Sequence, residues 1–310
     1  MADIVVSEFV DDDAVRALGA RYGVLYDPEL VNRPAALADV VGDARALVVR
    51  NRTQVTRDLI AAAPALKCIG RLGVGLDNID LEACEARGVT VYPATGANDA
   101  SVAEYVIATA MMLLRTAYRS NDAVIAGTWP RNQLMGREIE GKTLGLVGFG
   151  NIARHTARLA RALGVRTIAH DPYVPADNPV WRGTENVSPD TLLATADIVS
   201  LHVPLTPQTR GMIGDEAIAK MKRDAILINA ARGGIVDEAA MVAALKDGRL
   251  GGAALDVYET EPLTAEAGAL FAGVPNLVLT PHIAGVTAES NVRVSSVTVK
   301  NVLSHLDGLS

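Results

Sequence analysis

Short apolar runs alternate along the chain with segments whose apolar residues recur every three or four positions. Residues 4–6, 24–26, 46–49, 68–70 and 89–92 read as strands, and 12–18, 34–41, 56–62 and 80–87 as helices between them. Strict alternation of this kind, with strands apolar on both faces, predicts a doubly wound α/β domain around a parallel sheet. A long helix follows. Ser101-Val102-Ala103-Glu104 reads as its capping box, and Val102, Tyr105, Val106, Thr109, Met112 and Leu113 recur at helical spacing. We expect this helix to bridge two domains. Residues 129–140 hold Pro130, Gly136 and several charges in no regular pattern, as either an arm that packs on a second subunit or a solvated connector.

The strand and helix pattern then resumes. Residues 198–201, 225–229, 253–256 and 277–279 read as strands, Ser188-Pro189 as a helix start, and 237–246 as a helix. The last segment, 287–306, reads as a helix with Val292, Val299 and Leu303 on one side, returning to the first domain.

Within this second half, residues 142–171 carry the clearest chemistry. An apolar strand, 144–147, runs straight into Gly148-Phe149-Gly150-Asn151-Ile152 and then into a helix through Ala157, Ala160 and Leu163. Gly148 and Gly150 let the backbone turn sharply and approach a pyrophosphate, whose charge meets the N–H groups at the helix start. A second strand, 165–169, ends near Asp171, about 20 residues on, where a dinucleotide fold places a carboxylate for the ribose hydroxyls. The third position of the glycine fingerprint is Ala153, whose one methyl still permits close helix packing. The expected cofactor is NAD.

Composition narrows the picture. The 310 residues are 49% hydrophobic but only 4% aromatic, so the cores must be built from Ala, Val, Leu and Ile. A net charge of −7 with dispersed basic residues argues against nucleic acid and anionic membranes as partners. Cys68 and Cys84 lack metal-ligand or disulfide spacing, which predicts no metal site and a reducing compartment. No basic N-terminal region and no bilayer-length apolar run are present, so a cytoplasmic location is expected.

Three strand-end loops in the second half hold reactive side chains: Arg232 in NAARGGIVDE, Glu261 in DVYETEP and His282 in LTPHIAG. Strand ends of an open α/β sheet converge on its ligand crevice, so a guanidinium, a carboxylate and an imidazole can meet there. Of the five histidines, His155 and His305 fall on predicted helices, while His170 and His202 flank strand ends near the cofactor in packing or positioning roles. In the first half, Arg50 and Arg52 sit in one strand-end loop, and Arg71 to Gly75 form another with two glycines.

These motifs together resemble the D-isomer-specific 2-hydroxyacid dehydrogenases over essentially the whole length: VRNRT, GRLGVGLDNID, SVAE, GKTLGLVGFGNIA, HVPLT, INAARGGIVDE, ALDVYETEP and TPHIAG occur in that order. The resemblance is to the phosphoglycerate and sulfolactate dehydrogenase branch. It implies an α/β chain of two doubly wound domains, a Rossmann dinucleotide-binding domain at 99–285 and a smaller flavodoxin-like substrate domain at 1–98 plus 286–310. It also implies a homodimer. The family's catalytic residues fall on Arg232, Glu261 and His282, and its substrate-binding positions on Val74, Gly75 and Asn98, with Arg50 and Arg52 as candidates for a second anion. The implied cofactor set is Gly148, Phe149, Gly150, Asn151, Ile152, Asp171, His202, Val203, Pro204, Ala230 and Asp256. The expected reaction is oxidation of a small 2-hydroxy acid, sulfolactate first, with 3-phosphoglycerate, glycerate or D-lactate as alternatives. A formate-dehydrogenase-like enzyme and an NAD-sensing corepressor-like binding module are the remaining readings.

Overall fold

In a computed structural model of the protein, residues 2–309 are described, and the chain divides into two compact units. The first comprises Met1–Asn98 and Val286–Ser310. Its sheet contains β1 (Ile4–Val6), β2 (Val24–Tyr26), β3 (Ala46–Val49), β4 (Cys68–Arg71) and β5 (Thr90–Pro93), all parallel, in the order β2-β1-β3-β4-β5. That is the flavodoxin-type order. Successive side chains leave opposite faces of the sheet. Val5, Leu47, Val49 and Ile69 pack under Leu37, Leu59 and Ile60, whereas Ile4, Val6, Ala46 and Val48 pack under Leu18 and the closing helix, Ala288–Asp307.

That helix starts at a capping box between Thr287 and Ser290 and buries Val294, Val299, Val302 and Leu306. Val299 therefore falls on the expected apolar side, but Val292 is 53% exposed. The buried stripe is rotated around the helix axis away from it. Gly70 of β4 lets the helix come close, since a Cβ there would lie 2.7 Å from side-chain atoms of Thr298 and Val302.

The second unit, Asp99–Gly285, holds a seven-stranded parallel sheet. Its strands are β6 (Thr143–Val147), β7 (Arg166–His170), β8 (Glu185–Asn186), β9 (Ile198–Leu201), β10 (Ile226–Asn229), β11 (Gly252–Leu255) and β12 (Leu277–Leu279), in the order β12-β11-β10-β9-β6-β7-β8. The chain reverses its direction across the sheet between β6 and β9, whose residues Val147 and Leu201 are paired. Such a switch point is where an open α/β sheet binds its ligand.

The long helix runs Asp99–Arg115. It begins two residues before the expected cap, so Ser101 is a buried residue of the first turn and not its N-cap. Within the second unit, Val106, Ala110, Leu113 and Leu114 of this helix pack on Ala153, Ala157 and Ala160 of the helix Asn151–Ala162. Small alanines on one helix and larger aliphatics on the other permit this close packing. The rare aromatics are used locally, with Phe149 stacked on Trp181 at 4.7 Å. Residues 129–140 form no helix or strand and expose Trp129 and Met135. Strand β8 and the helix Asp215–Lys220 were too short to show a period in the sequence. No helix among the described residues is long and apolar enough to cross a membrane.

Candidate active site

The turn after β6 is shaped by steric necessity. Gly148 has φ +87°, and a Cβ on it would lie 2.6 Å from the backbone oxygen of His202 at the end of β9. Only glycine allows the two strand ends to approach so closely. Gly150 is the N-cap of the helix Asn151–Ala162, no side chain caps that end, and a Cβ at Gly150 would meet nothing within 4 Å. The helix thus opens onto free space with its N–H groups and the positive end of its dipole uncovered, which fits a pyrophosphate. Ala153 is fully buried against the sheet.

Asp171 follows β7 and reaches back to this turn. Its Oδ2 accepts the Phe149 N–H at 2.8 Å and its Oδ1 accepts the Tyr173 N–H at 2.9 Å. A carboxylate offers about four acceptor positions, so roughly two remain for ribose hydroxyls. His202, with Val203 and Pro204, leaves the end of β9 beside Gly148. Part of His202 reaches the surface, but its ring nitrogen Nε2 lies 3.0 Å from the fully buried Ser200 hydroxyl. Shielding of that ring pushes its pKa down to about 4 and keeps it neutral. His170 pairs instead with the Val187 carbonyl, and His155 and His305 pair with Arg158 and Tyr92. None of these three belongs to the group described next.

Arg232 stands just beyond β10, next to Ala230 and Ala231, in a loop shaped by Asn229. The Asn229 side chain donates to the Arg232 carbonyl at 2.8 Å and accepts from the Ala231 N–H at 3.1 Å. Gly233 is required behind it, because a Cβ there would lie 1.6 Å from the Tyr258 carbonyl oxygen. The Arg232 loop and the loop after β11 are therefore in backbone contact. In that second loop, Glu261 takes the Tyr258 N–H on Oε1 at 3.0 Å and meets Nδ1 of His282 with Oε2 at 2.7 Å. A carboxylate only accepts, so Nδ1 carries the proton and Nε2 is left for other partners. Burial works against the charged form of Glu261. The His282 and Tyr258 hydrogen bonds and the positive charges of His282 and Arg232 outweigh it, holding its pKa below the usual carboxylate value.

His282 has a left-handed backbone, φ +54°. Asp256, at the end of β11, holds it there: the Asp256 backbone oxygen accepts the His282 N–H, and its carboxylate accepts the Ile283 and Ala284 N–H groups, each at 2.8 Å. The second unit so brings Arg232, Glu261 and His282 together. The sequence pattern did not single out Asn229, Thr280 or Tyr258, although each lies inside one of the motifs NAARGGIVDE, LTPHIAG and DVYETEP.

In the first unit, the loop after β3 is organised by Glu8, which is 5% exposed and follows β1. Its carboxylate accepts the N–H groups of Arg50, Arg52 and Thr53. This buried carboxylate was also missed; its only sequence signal is its place just past a strand. Arg50 is bonded to Asn291 of the closing helix at 2.6 Å, and burial lowers its pKa against the opposing field of Glu8. The exposed Arg52 reaches Asn32 at 2.5 Å. Val74 and Gly75 follow β4, with Val74 exposed, and Asn98 precedes the unit boundary.

Comparison with known proteins decides the family. Residues 107–284 match the family model described as D-isomer specific 2-hydroxyacid dehydrogenase, NAD binding domain. The chain belongs to this family. The (S)-sulfolactate dehydrogenase of Chromohalobacter salexigens is 54% identical over 303 residues, 97% of each chain. The D-3-phosphoglycerate dehydrogenase of Archaeoglobus fulgidus is 42% identical over 264 residues, 85% of this chain and 50% of that protein, so the chain spans about half the length of that relative. Among solved structures, the D-lactate dehydrogenase from Aquifex aeolicus complexed with NAD and lactic acid superimposes with a TM-score of 0.82 at 29% identity, covering 98% of this chain and 95% of that one. The protein is thus an NAD-dependent 2-hydroxyacid dehydrogenase of the two-sheet, Rossmann-type α/β class.

Proposed function

We propose that the dehydrogenase interconverts sulfolactate and sulfopyruvate. The His282–Glu261 pair carries the reaction type, because removal of a hydroxyl proton as hydride leaves the adjacent carbon requires a base whose conjugate acid is stabilised. In the reductive direction, NADH supplies the hydride when bound. Arg232 grips the carboxylate and the carbonyl oxygen of the 2-oxo acid through charge-assisted bonds and orients the carbonyl carbon. As that oxygen becomes an alkoxide, His282 donates its proton, and in the oxidative direction the neutral ring takes it back. Glu261 favours the charged ring and fixes its orientation.

The same reading gives the dinucleotide to the turn from Gly148 to Ile152, to Asp171, to His202, Val203 and Pro204, and to Ala230 and Asp256. Val74, Gly75 and Asn98 of the first unit serve the substrate carboxylate, and Arg50 and Arg52 a second anion, the sulfonate. Full-length similarity to a protein named for sulfolactate supports that choice. Phosphoglycerate is the second reading, supported by the Archaeoglobus fulgidus relative and by the likeness of phosphate to sulfonate as an anion. NADH oxidation measured over sulfopyruvate, 3-phosphohydroxypyruvate, hydroxypyruvate and pyruvate tests the assignment. The highest kcat/KM belongs to sulfopyruvate if it is right, and a clear preference for a monoanion overturns it.

The protein acts in the cytoplasm as a homodimer on this reading. Tyr118, Ile125, Trp129 and Met135 expose a run of apolar side chains within 20 residues, more than an isolated surface ordinarily carries. Light scattering at the monomer mass of 32.5 kDa would refute the dimer.

A further inference from the structure

His282 is held from behind by a chain of hydroxyl groups that the reaction as described leaves unused. Asp256 is 1% exposed, and its Oδ1, besides taking the Ile283 N–H, accepts the Thr280 hydroxyl at 2.6 Å. Thr280 has one hydroxyl proton, and the ionised carboxylate can only accept it. The neighbouring Tyr105 hydroxyl, 2.7 Å from Thr280 Oγ1, must then be the donor in their contact. Tyr258 completes the arrangement: its hydroxyl donates to the Thr280 carbonyl at 2.9 Å, and its N–H is the one bound by Glu261. Burial raises the Tyr105 pKa and pushes that of Tyr258 to about 12, so both phenols stay protonated donors through the neutral range.

Every donor in this chain has its acceptor, and the chain reaches both members of the His282–Glu261 pair. Asp256 fixes the loop that carries His282, and Tyr258 ties Thr280 to Glu261. We propose that Tyr105 and Thr280 are positioning residues for proton transfer, acting through Asp256 to hold the His282 loop in the left-handed turn that keeps the imidazole on Glu261. Tyr105 lies on the helix Asp99–Arg115, where helical spacing reads it as one more apolar packing residue. Asp256 and Tyr258 are buried and Tyr105 and Thr280 partly so, and a network of this kind is sensitive to loss of one member, because the remaining polar groups are left unsatisfied. The inference rests on His282 being the proton-transfer group.

The test uses the full chain with four substitutions: Thr280→Val, Thr280→Ser, Tyr105→Phe and His282→Asn. The groups that face His282 and its loop are Glu261, Arg232, Asp256, Tyr105 and Tyr258; all remain in the Thr280 variants, and Tyr105→Phe removes only the Tyr105 hydroxyl. Thr280→Val should lower kcat for oxo-acid reduction by about tenfold or more, with KM for NADH changed less than about twofold, the pattern of a lost transition-state arrangement. The pH above which reduction fails should fall, because a looser pairing favours the imidazolium less. Thr280→Ser, which keeps the hydroxyl, should restore both, and Tyr105→Phe should show the same changes on a smaller scale. Without cofactor, the Ile283 and Ala284 amides should exchange with solvent faster in Thr280→Val and Tyr105→Phe than in the parent.

Parent kcat, pH profile and exchange in both variants, with His282→Asn inactive, would overturn the network while leaving the reaction scheme intact. A His282→Asn enzyme as active as the parent would overturn both. If Thr280→Val does not fold, Tyr105→Phe decides, since it removes one hydroxyl group and keeps the ring.

Discussion

Glu261 is divided between two partners: Oε2 meets Nδ1 of His282 at 2.7 Å, and Oε1 holds the Tyr258 N–H at 3.0 Å. The carboxylate is thereby fixed by the backbone of its own loop while it orients the ring. Its lowered pKa gives a sign. A carboxylate with a depressed folded value contributes its pairing above the ordinary carboxylate range and loses it as pH falls through the lowered value. At neutral pH Glu261 is therefore ionised. Glu261→Gln should remove the charge that favours the imidazolium, so reduction should be lost at a lower pH than in the parent, with kcat down about 10- to 100-fold near neutrality. A pH–rate profile that superimposes on the parent's would remove Glu261 from the mechanism.

The contact between the Arg232 loop and Tyr258 makes Gly233 a second point of leverage. A methyl group at Gly233 would sit 1.6 Å from the Tyr258 carbonyl oxygen and 2.2 Å from its carbon, both backbone atoms that no rotamer change can move. Gly233→Ala must displace either the loop bearing Arg232 or the loop bearing Glu261. We expect a fall in kcat/KM of about 100-fold, the size of effect that a displacement near 1 Å has on a reacting geometry. Thermal melting should record a loss of roughly 1–3 kcal/mol from the overpacking. Full activity in this variant would mean that the two loops do not need their mutual spacing.

Asp171 should set the choice of dinucleotide. A 2′-phosphate beside its carboxylate brings like charges to contact distance, worth about 1–4 kcal/mol at 4 Å between surface and water-like screening. The ratio of kcat/KM for NADH over NADPH should therefore be about fivefold at least, by the order of that repulsion. Asp171→Ala should shrink the ratio and also raise KM for NADH, because the Phe149 N–H loses its acceptor in the glycine turn. Equal efficiency with the two cofactors in the parent would contradict this account.

His202 should make the fold sensitive to mild acid. Its pKa is about 4 in the folded chain against 6.5 for a free side chain, so the unfolded chain binds the proton first as pH falls. Stability is unaffected above 6.5 and declines between there and about 4, by at most about 3 kcal/mol from a shift of this order. Replacement by Gln removes the titrating ring. Urea unfolding at pH 7.5 and pH 5 should show a smaller decline for His202→Gln than for the parent, and an identical decline would show that other groups govern the acid limb.

For the substrate, Arg52 is the more informative of the two first-unit guanidinium groups. Arg50 is half-buried and bonded to Asn291, so its loss would also disturb the fold, whereas Arg52 is exposed and touches Asn32. If Arg52 binds the sulfonate, Arg52→Ala should raise KM for sulfopyruvate by about 10- to 100-fold, the worth of a charge-assisted hydrogen bond of about 1.5–3 kcal/mol. KM for pyruvate should change little. Equal losses for both substrates would make Arg52 a general charge and leave the dianion without its partner.

Much of this protein was determined by sequence alone, because its architecture follows from local patterns. The runs 4–6, 46–49, 144–147 and 225–229 are apolar on both faces, as only buried parallel strands need to be, and their positions agree with β1, β3, β6 and β10 to within a residue. Gly148 and Gly150 were legible because a tight strand-to-helix turn demands specific residues at fixed spacing, as were Thr287 at the start of the closing helix and Asp237 at the start of Glu238–Lys246. Motifs also pointed to Arg232, Glu261 and His282 individually. What tertiary structure alone decided was which groups meet. Residues 105, 256, 258, 261, 280 and 282 come from the long helix and from loops after two strands, and no spacing along the chain encodes the 2.7 Å contacts of Tyr105 with Thr280 or of Glu261 with His282. The same holds for Glu8, whose carboxylate gathers the Arg50 to Thr53 loop from more than 40 positions away. It holds too for the start of the long helix. Ser101 carries the side chain of an N-cap, but it is buried within the first turn, and the helix begins at Asp99 instead. Hydrophobic period is a property of neighbours in sequence, whereas a buried hydrogen-bond network is a property of neighbours in space.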